Sequence, residues 1–591
     1  MKNILSIFVG IVIAAAVNAQ TTQPNIILVL FDDMNNMVEG YGGHPQTITP
    51  NLVELQGKGT TFTNAFCSSP LCAPSRASMM LGKSLEYTDI FLNNPYDCAD
   101  FRNNFSPGKY VLTLPEHLKE SAGYFTYSVG KVFHCDNDFT DYDTITADPC
   151  AKNLSWNKYS SIPIDDAVNN AGQANPQGIE EMKWSAIDSS LVSSMTDYSV
   201  VDSASNFLNA YATDPSAFCN MPFFMAVGIR KPHSNLYIPE QYFSDFYIDD
   251  FYTIPWEYNY NLPINSFPEN GIVMPTLTTP EYTDYDALSF MSQKAISIGP
   301  HKEFRDWPGT LSPMPIVNDT LTSIERAEIL TRAQKANAVM AYLAAIRFAD
   351  DQVGRLMDSL EAHPEIYDNT VIIITSDHGF ALGEKKHWGK GTLHETDIRI
   401  PFIIADLRTL SPPKVCNRTV SHLDVFPTIN AYAGGPQPTF PGGASYLDGY
   451  DLAPLMNNPN LQWERGAITQ VKNAIEGFVC FPQNSVRTDR FHFIRWETNN
   501  AEGLVGCDDA ANNYEYELYE LGMNRDVDPE EWYNLAFDSN YAPVIEYLVE
   551  QLPGGSLHLQ KTLKTTISLT GSVCLYDNDD VIKLRSKLFN V

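Results

Sequence analysis

The sequence is short of positive charge: 39 Lys and Arg stand against 71 Asp and Glu, a net charge of −32. That excludes a nucleic-acid binder, which needs a basic stripe to meet the phosphate backbone. An anionic ligand must be drawn by a local cationic pocket against an unfavourable overall field. Long apolar runs are missing beyond the N-terminus. Met1-Lys2-Asn3 gives a basic start, Ile4 to Val17 a short apolar run, and Val17-Asn18-Ala19 a small-residue cleavage site before Gln20. This is the form of a signal peptide over residues 1–19. No later run reaches the roughly 18 residues of a membrane span, so the mature chain is expected to be soluble, in the secretory pathway, and secreted or lysosomal.

Internal repeats are absent and cysteine is sparse. The ten cysteines are 67, 72, 98, 135, 150, 219, 416, 480, 507 and 574. With Cys72 set aside, the rest allow up to four disulfides and one odd thiol, with Cys135–Cys150 and Cys480–Cys507 the preferred local pairs. What is plentiful is apolar surface: 44% hydrophobic residues, with 30 Tyr and 31 Phe, mark a folded globular chain. At 591 residues, two or more subdomains are expected. Sequons at Asn104, Asn153, Asn318 and Asn417 fit a glycoprotein of the eukaryotic secretory route.

Asn25 to Phe31 is apolar without alternation and ends in Asp32-Asp33. Such a run suits a buried parallel strand, and ligand groups gather at the C-terminal ends of those strands. Val371 to Ser376 repeats the form and ends in Asp377-His378-Gly379, which implies that the two strand ends converge. Gly123 to Gly130 reads as a strand ending at Lys131-Val-Phe-His134, and Phe223 to Gly228 as one ending at Lys231-Pro232-His233. Each delivers a lysine and a histidine. Thr49-Pro50 starts a helix, Thr113 to Lys119 reads as a capped helix, and the capping box Thr322-Ser-Ile-Glu325 opens a long helix to about Leu360. Residues 240–320 are rich in Pro, Tyr, Asp and Thr and read as long loops of the kind that shape substrate sites. From about residue 460, Ser485–Arg495 and Tyr516–Leu521 alternate like antiparallel strands, and Asn534-Leu-Ala begins the last helix.

Carboxylates converging from two strand ends repel unless a cation sits between them. The hard oxygens of Asp32, Asp33 and Asp377 suit Ca²⁺ or Mg²⁺, with His378 an atypical edge ligand. A zinc phosphatase-like site is the competing reading; it needs more His ligands and a Ser or Thr nucleophile.

In Leu71-Cys72-Ala73-Pro74-Ser75-Arg76, Pro74 fixes the backbone, Ser75 can cap the residues after it, and Arg76 sets a cation about one turn from the sulfur. The apolar run beyond Arg76 continues as a helix, leaving Cys72 at a positive helix N-terminus. This stretch resembles the sulfatase signature C-x-P-S-R; Leu81-Gly82-Lys83 replaces its closing T-G-R, which weakens one supporting cation. Ser128–His134, Ala226–His233, Gln352–Leu356 and Thr375–Glu384 are similar to segments of the iduronate-2-sulfatases, and the likeness runs over nearly the whole mature chain.

The resemblance implies an alkaline-phosphatase-like α/β fold: a large mixed sheet sandwiched by helices, with a smaller C-terminal antiparallel-sheet α+β subdomain. It divides the chain into a catalytic domain over 20–460 and a C-terminal subdomain over 461–591. It implies that Cys72 is oxidised by a formylglycine-generating enzyme and that the formylglycine hydrate is the nucleophile. Asp32, Asp33, Asp377 and His378 would hold the metal with the modified Cys72. Arg76 and Lys131 would stabilise the hydrate and His134 would be its base. His233 and Lys390 would grip the sulfate, one of them protonating the leaving alcohol. The implied substrate is a sulfated carbohydrate, with a lean towards a 2-O-sulfated uronate of a glycosaminoglycan or similar polysaccharide. A uronate carboxylate needs its own cation, and His301, Lys302 and Arg305, with Lys294, are the basic cluster in the 240–320 loops. The alternatives are an arylsulfatase of other range and a catalytically silent, secreted sulfated-glycan-binding protein.

Overall fold

The computed structural model describes residues 23–98, 100–135, 154–162, 166–174, 182–246, 288–289, 292–293, 296, 323–409, 411–472, 483–499 and 512–553. The signal peptide, the basic cluster 294–305, the sequons at Asn153 and Asn318, and the Cys480–Cys507 pair lie outside these residues.

The main sheet is built from β1 (Asn25–Asp32), β2 (Thr60–Phe62), β3 (Phe125–Gly130), β4 (Lys158–Ser160), β5 (Phe223–Pro232), β6 (Thr370–Ser376), β7 (Phe402–Asp406) and β8 (Lys414–Cys416). Across the sheet the order is β8-β2-β7-β6-β1-β5-β3-β4. β1 lies parallel to both β5 and β6, and β7 runs antiparallel to β6, so the sheet is mixed. Every residue of β1 is buried, which is why its sequence does not alternate.

The helices that matter to the site are α1 (Pro50–Gly57), α2 (Cys72–Leu81), α3 (Thr196–Thr213), α4 (Ser323–Glu361), α5 (Val425–Ala433) and α6 (Ala542–Gln551). Successive side chains of a strand point to opposite faces, so β1 feeds two cores. Ile27, Val29 and Phe31 join Val201 and Phe207 of α3 and Tyr342 and Ile346 of α4. Ile26, Leu28 and Leu30 join Ala77 and Met80 of α2 and Phe426 and Ile429 of α5. Helices thus cover both faces.

A separate antiparallel sheet holds β9 (Ala467–Val471), β10 (Gln483–Arg487), β11 (Phe491–Asn499) and β12 (Asn512–Glu520) in that order. Val486, Phe493 and Leu518 on one face pack against Val544 and Leu548 of α6. Ile494, Trp496 and Tyr519 on the other close over Leu393, just beyond Lys390. Ion pairs from Glu395 to Arg487 and Arg525 add to this seam. The small sheet therefore braces the loop that carries Lys390.

Four local expectations are corrected. Ser75 is not the N-cap: α2 begins at Cys72 after Leu71, and the Ser75 hydroxyl donates to the Asp377 carbonyl at 2.6 Å. Asn534 does not begin the last described helix, which starts at Ala542. Its side-chain oxygen instead accepts the amides of Leu518 and Ala536 and pins the chain to β12. Cys135 is bonded to Cys98, not Cys150. Among the described residues Cys67 and Cys416 are both free and buried, so more than one thiol besides Cys72 is unpaired. At Asn104 the side-chain amide donates to the carbonyls of Asp97 and Phe101, each at 3.1 Å, and a glycan there would remove one of the two hydrogens available for them.

Candidate active site

Asp32 closes β1, and Asp33 turns away from it in a left-handed conformation, φ 66°. This is an uncommon geometry for a residue with a β-carbon, tolerated best by Asn and Asp. The Asp33 amide donates to Asp377 Oδ1 at 3.1 Å and the Asp377 amide to the Phe31 carbonyl at 3.1 Å, which locks the ends of β1 and β6 together. Tyr342, from the middle of α4, donates its hydroxyl to the Asp33 carbonyl at 2.5 Å.

Cys72 enters as the first residue of α2, with Sγ 3.3 Å from His378 Nε2 and 3.4 Å from Lys390 Nζ. Leu71 supplies no side-chain cap there; Asn93 Oδ1 instead accepts the Ala73 amide at 2.9 Å. Arg76, one turn on and wholly buried, donates Nε to Asp377 Oδ2 at 2.8 Å, with Nη2 3.3 Å from Asp32 Oδ1. Its remaining hydrogens reach the carbonyls of Phe31, Lys131 and Val132. Lys131 Nζ sits 2.6 Å from Asp32 Oδ2, and Lys390 Nζ 2.6 Å from Asp33 Oδ1. His233 Nε2 stands 3.9 Å from Asp33 Oδ2.

His134 lies at the rim, its ring edge-on to Tyr96 at 5.0 Å, and the Cys98–Cys135 disulfide ties its neighbour to the same loop. All ten sequence-selected residues thus lie in one neighbourhood, drawn from the ends of β1, β3, β5 and β6, the start of α2 and the 383–397 loop. Lys231 is diverted: its ammonium donates to the carbonyls of His233 and Asn235. Lys83 faces away, to the Tyr446 carbonyl and Asp448.

Burial alone would raise Asp32, but Lys131, His233 and Arg76 outweigh it and hold the carboxylate well below its ordinary range. Burial would lower Lys390, yet Asp33, Cys72 and Asp32 keep it well above its ordinary value. Burial, with Lys131 adding to it, drives His134 down to about 3.

Two groups of side chains here have the reach to hold one ion: Asp32, Asp33, Cys72 and His233, and Asp32, Cys72, Asp377 and His378, each with ligand atoms within 4.8 Å of one another. The donor set is hard and oxygen-rich, and Asp32 Oδ1 is buried while accepting no hydrogen bond among the described residues. Three carboxylates face three permanent cations, Arg76, Lys131 and Lys390, so a divalent ion would leave surplus positive charge for an anionic ligand. The residues fit a metal. A third group, Glu395, His492 and Glu531, does not: Arg487 and Arg525 already neutralise Glu395.

Sequence reasoning passed over His422. Buried before α5, its Nδ1 lies 3.1 Å from Ser75 Oγ and its Nε2 3.3 Å from Thr375 Oγ1, so it backs the signature helix and β6 together. A lone histidine in a capped turn carries no local sign of that duty.

A sulfatase family model matches residues 24–435. A sulfatase of Formosa agariphila is 25% identical over 93% of this chain and 94% of its own. The iduronate 2-sulfatase of Homo sapiens is 27% identical over 69% of this chain and 64% of its own. A solved structure in complex with its substrate D-glucosamine-2-N,6-O-disulfate superposes with a TM-score of 0.59 at 20% identity, covering 92% of this chain and 99% of that one. With the family model spanning most of its length, the chain belongs to the sulfatase family.

Proposed function

We propose that this chain hydrolyses sulfate esters on a carbohydrate, with Cys72 converted to formylglycine and Ca²⁺ or Mg²⁺ held by Asp32, Asp33, Asp377, His378 and the modified residue 72. The observation that carries this is Cys72 at the buried start of α2, within 3.4 Å of both His378 and Lys390 and beside the joined ends of β1 and β6. A formylglycine hydrate would supply one hydroxyl as nucleophile and a second through which sulfate is released, and a metal held by those residues would supply Lewis acidity.

The protein's own groups do the rest. Arg76 and Lys131 hold negative charge next to residue 72, and the dipole of α2 adds to them. His134, kept neutral by burial, takes the proton whose loss releases sulfate. Lys390, kept charged, and His233 grip the sulfate oxygens, and one of them protonates the leaving alcohol. On this reading residues 1–19 are a signal peptide, 20–460 the catalytic domain and 461–591 the C-terminal subdomain. The protein is secreted or lysosomal; no described helix is long and apolar enough to cross a membrane.

The preferred substrate is a 2-O-sulfated uronate within a glycosaminoglycan or similar polysaccharide. The support is the likeness of Ala226–His233 and Thr375–Glu384 to the iduronate-2-sulfatases. Sulfate release from defined sulfated disaccharides, compared with an aryl sulfate across pH, tests it. Cleavage of the 2-O-sulfated uronate first is expected. Preference for the aryl sulfate would overturn the carbohydrate claim, and cleavage confined to 6-O- or N-sulfated glucosamine would overturn the uronate claim alone.

A further inference from the structure

The ladder between β1 and β5 slips at its functional end. Phe31 pairs with Ile229, but Asp32 pairs with Pro232, so the register passes over Arg230 and Lys231. A bulge of this kind re-aims the residues beyond it and leaves amides to be satisfied elsewhere. Both amides are taken by one buried side chain. Asp197, in the first turn of α3, accepts Arg230 N–H at 2.7 Å through Oδ1 and Lys231 N–H at 2.8 Å through Oδ2. An acidic residue there would ordinarily serve its own helix dipole.

The segment Asp197 holds carries His233. The His233 amide donates back to the Arg230 carbonyl at 2.9 Å, and Lys231 Nζ donates to the His233 and Asn235 carbonyls at 3.0 and 2.5 Å. His233 Nδ1 faces the Ser234 carbonyl at 2.7 Å. A carbonyl only accepts, so Nδ1 carries a hydrogen, and Nε2, which must carry a second to donate to a sulfate oxygen, is the atom that faces Asp33.

We infer that Asp197 is a positioning residue for His233: its carboxylate fixes the bulge that aims His233 Nε2 into the site. This rests on the proposed role of His233 in gripping the sulfate. Asn at 197 offers one acceptor and turns a second donor onto a backbone donor, so it removes half of the clamp and opposes the other half.

The test is a double-mutant cycle of D197N and H233A, read by kcat and KM for sulfate release and, separately, by calorimetric binding of inorganic sulfate. H233A is expected to lower kcat about a hundredfold, and D197N about ten- to a hundredfold, as misplacing a reacting group by about 1 Å does. In the H233A background D197N should cost less than about twofold, because residues acting as one unit are not additive. K231M loosens the same segment from its other side and gives a second cycle if D197N does not fold. Losses that multiply in both cycles, or a D197N enzyme equal to wild type, would overturn the inference. A wild-type protein that releases no sulfate overturns the proposed function alone, and the sulfate-binding cycle then decides the inference by itself.

Discussion

Arg76 and Asp377 meet through one hydrogen bond, Nε to Oδ2 at 2.8 Å, with both side chains wholly shut off from solvent. Removing one partner of a buried pair strands the other, at a cost of about 3–5 kcal/mol. R76L should therefore lower the unfolding free energy by roughly that amount in urea titration. R76K keeps the charge but loses the planar fork that also serves the Phe31, Lys131 and Val132 carbonyls, so it should fall between R76L and wild type. An R76K protein as stable as wild type would show that charge alone matters here.

Asp32 and Asp377 each contribute a carboxylate to one ion-sized space. D32N and D377N should lose bound metal, measured by elemental analysis, together with activity. Exhaustive chelation of the wild type should abolish turnover, and added Ca²⁺ or Mg²⁺ should restore it. Full activity after chelation would contradict the metal assignment.

Asp350 of α4 accepts the amides of Asn51 and Leu52 at the start of α1, and burial raises its carboxyl to about 6. The folded state then binds a proton that the unfolded chain, with an ordinary Asp near 3.8, does not. Stability from this group is fully present at pH below about 4 and is lost as pH rises to about 6, a change on the order of 3 kcal/mol. The stability of wild type relative to D350N should fall across that window and level off above it. A flat difference would contradict the raised value.

The strand ends and the signature were legible because each is local. An unbroken apolar run followed by Asp32-Asp33 or Asp377-His378 announces a buried strand with its chemistry at the tip, and the order of motifs follows the sulfatases. The apolar spacing up to about Leu360 likewise announces the long helix α4, which ends at Glu361. What was not legible depends on side chains distant in sequence. Asp197 meets Lys231 only because a bulge in β5 faces the start of α3. Cys98 meets Cys135, 37 residues away, across a loop whose path no local pattern dictates. Asn534, beside apolar neighbours, looks like a helix start but spends its amide on β12.

Changing Cys72 to Ser should preserve the fold, since the buried side chain keeps its shape, and should abolish turnover because the second hydroxyl needed for sulfate release is gone. The melting temperature should stay within a few degrees of wild type while sulfate release vanishes. Residual release within about tenfold of wild type would mean that the sulfate leaves by a route the hydrate does not explain.

On the proposed chemistry, residue 72 works as formylglycine. Mass spectrometry of the peptide containing Cys72, from purified protein that releases sulfate from a sulfated disaccharide, tests it most directly. The aldehyde or its hydrate is expected in proportion to specific activity; fully active protein with an unmodified Cys72 thiol would contradict it.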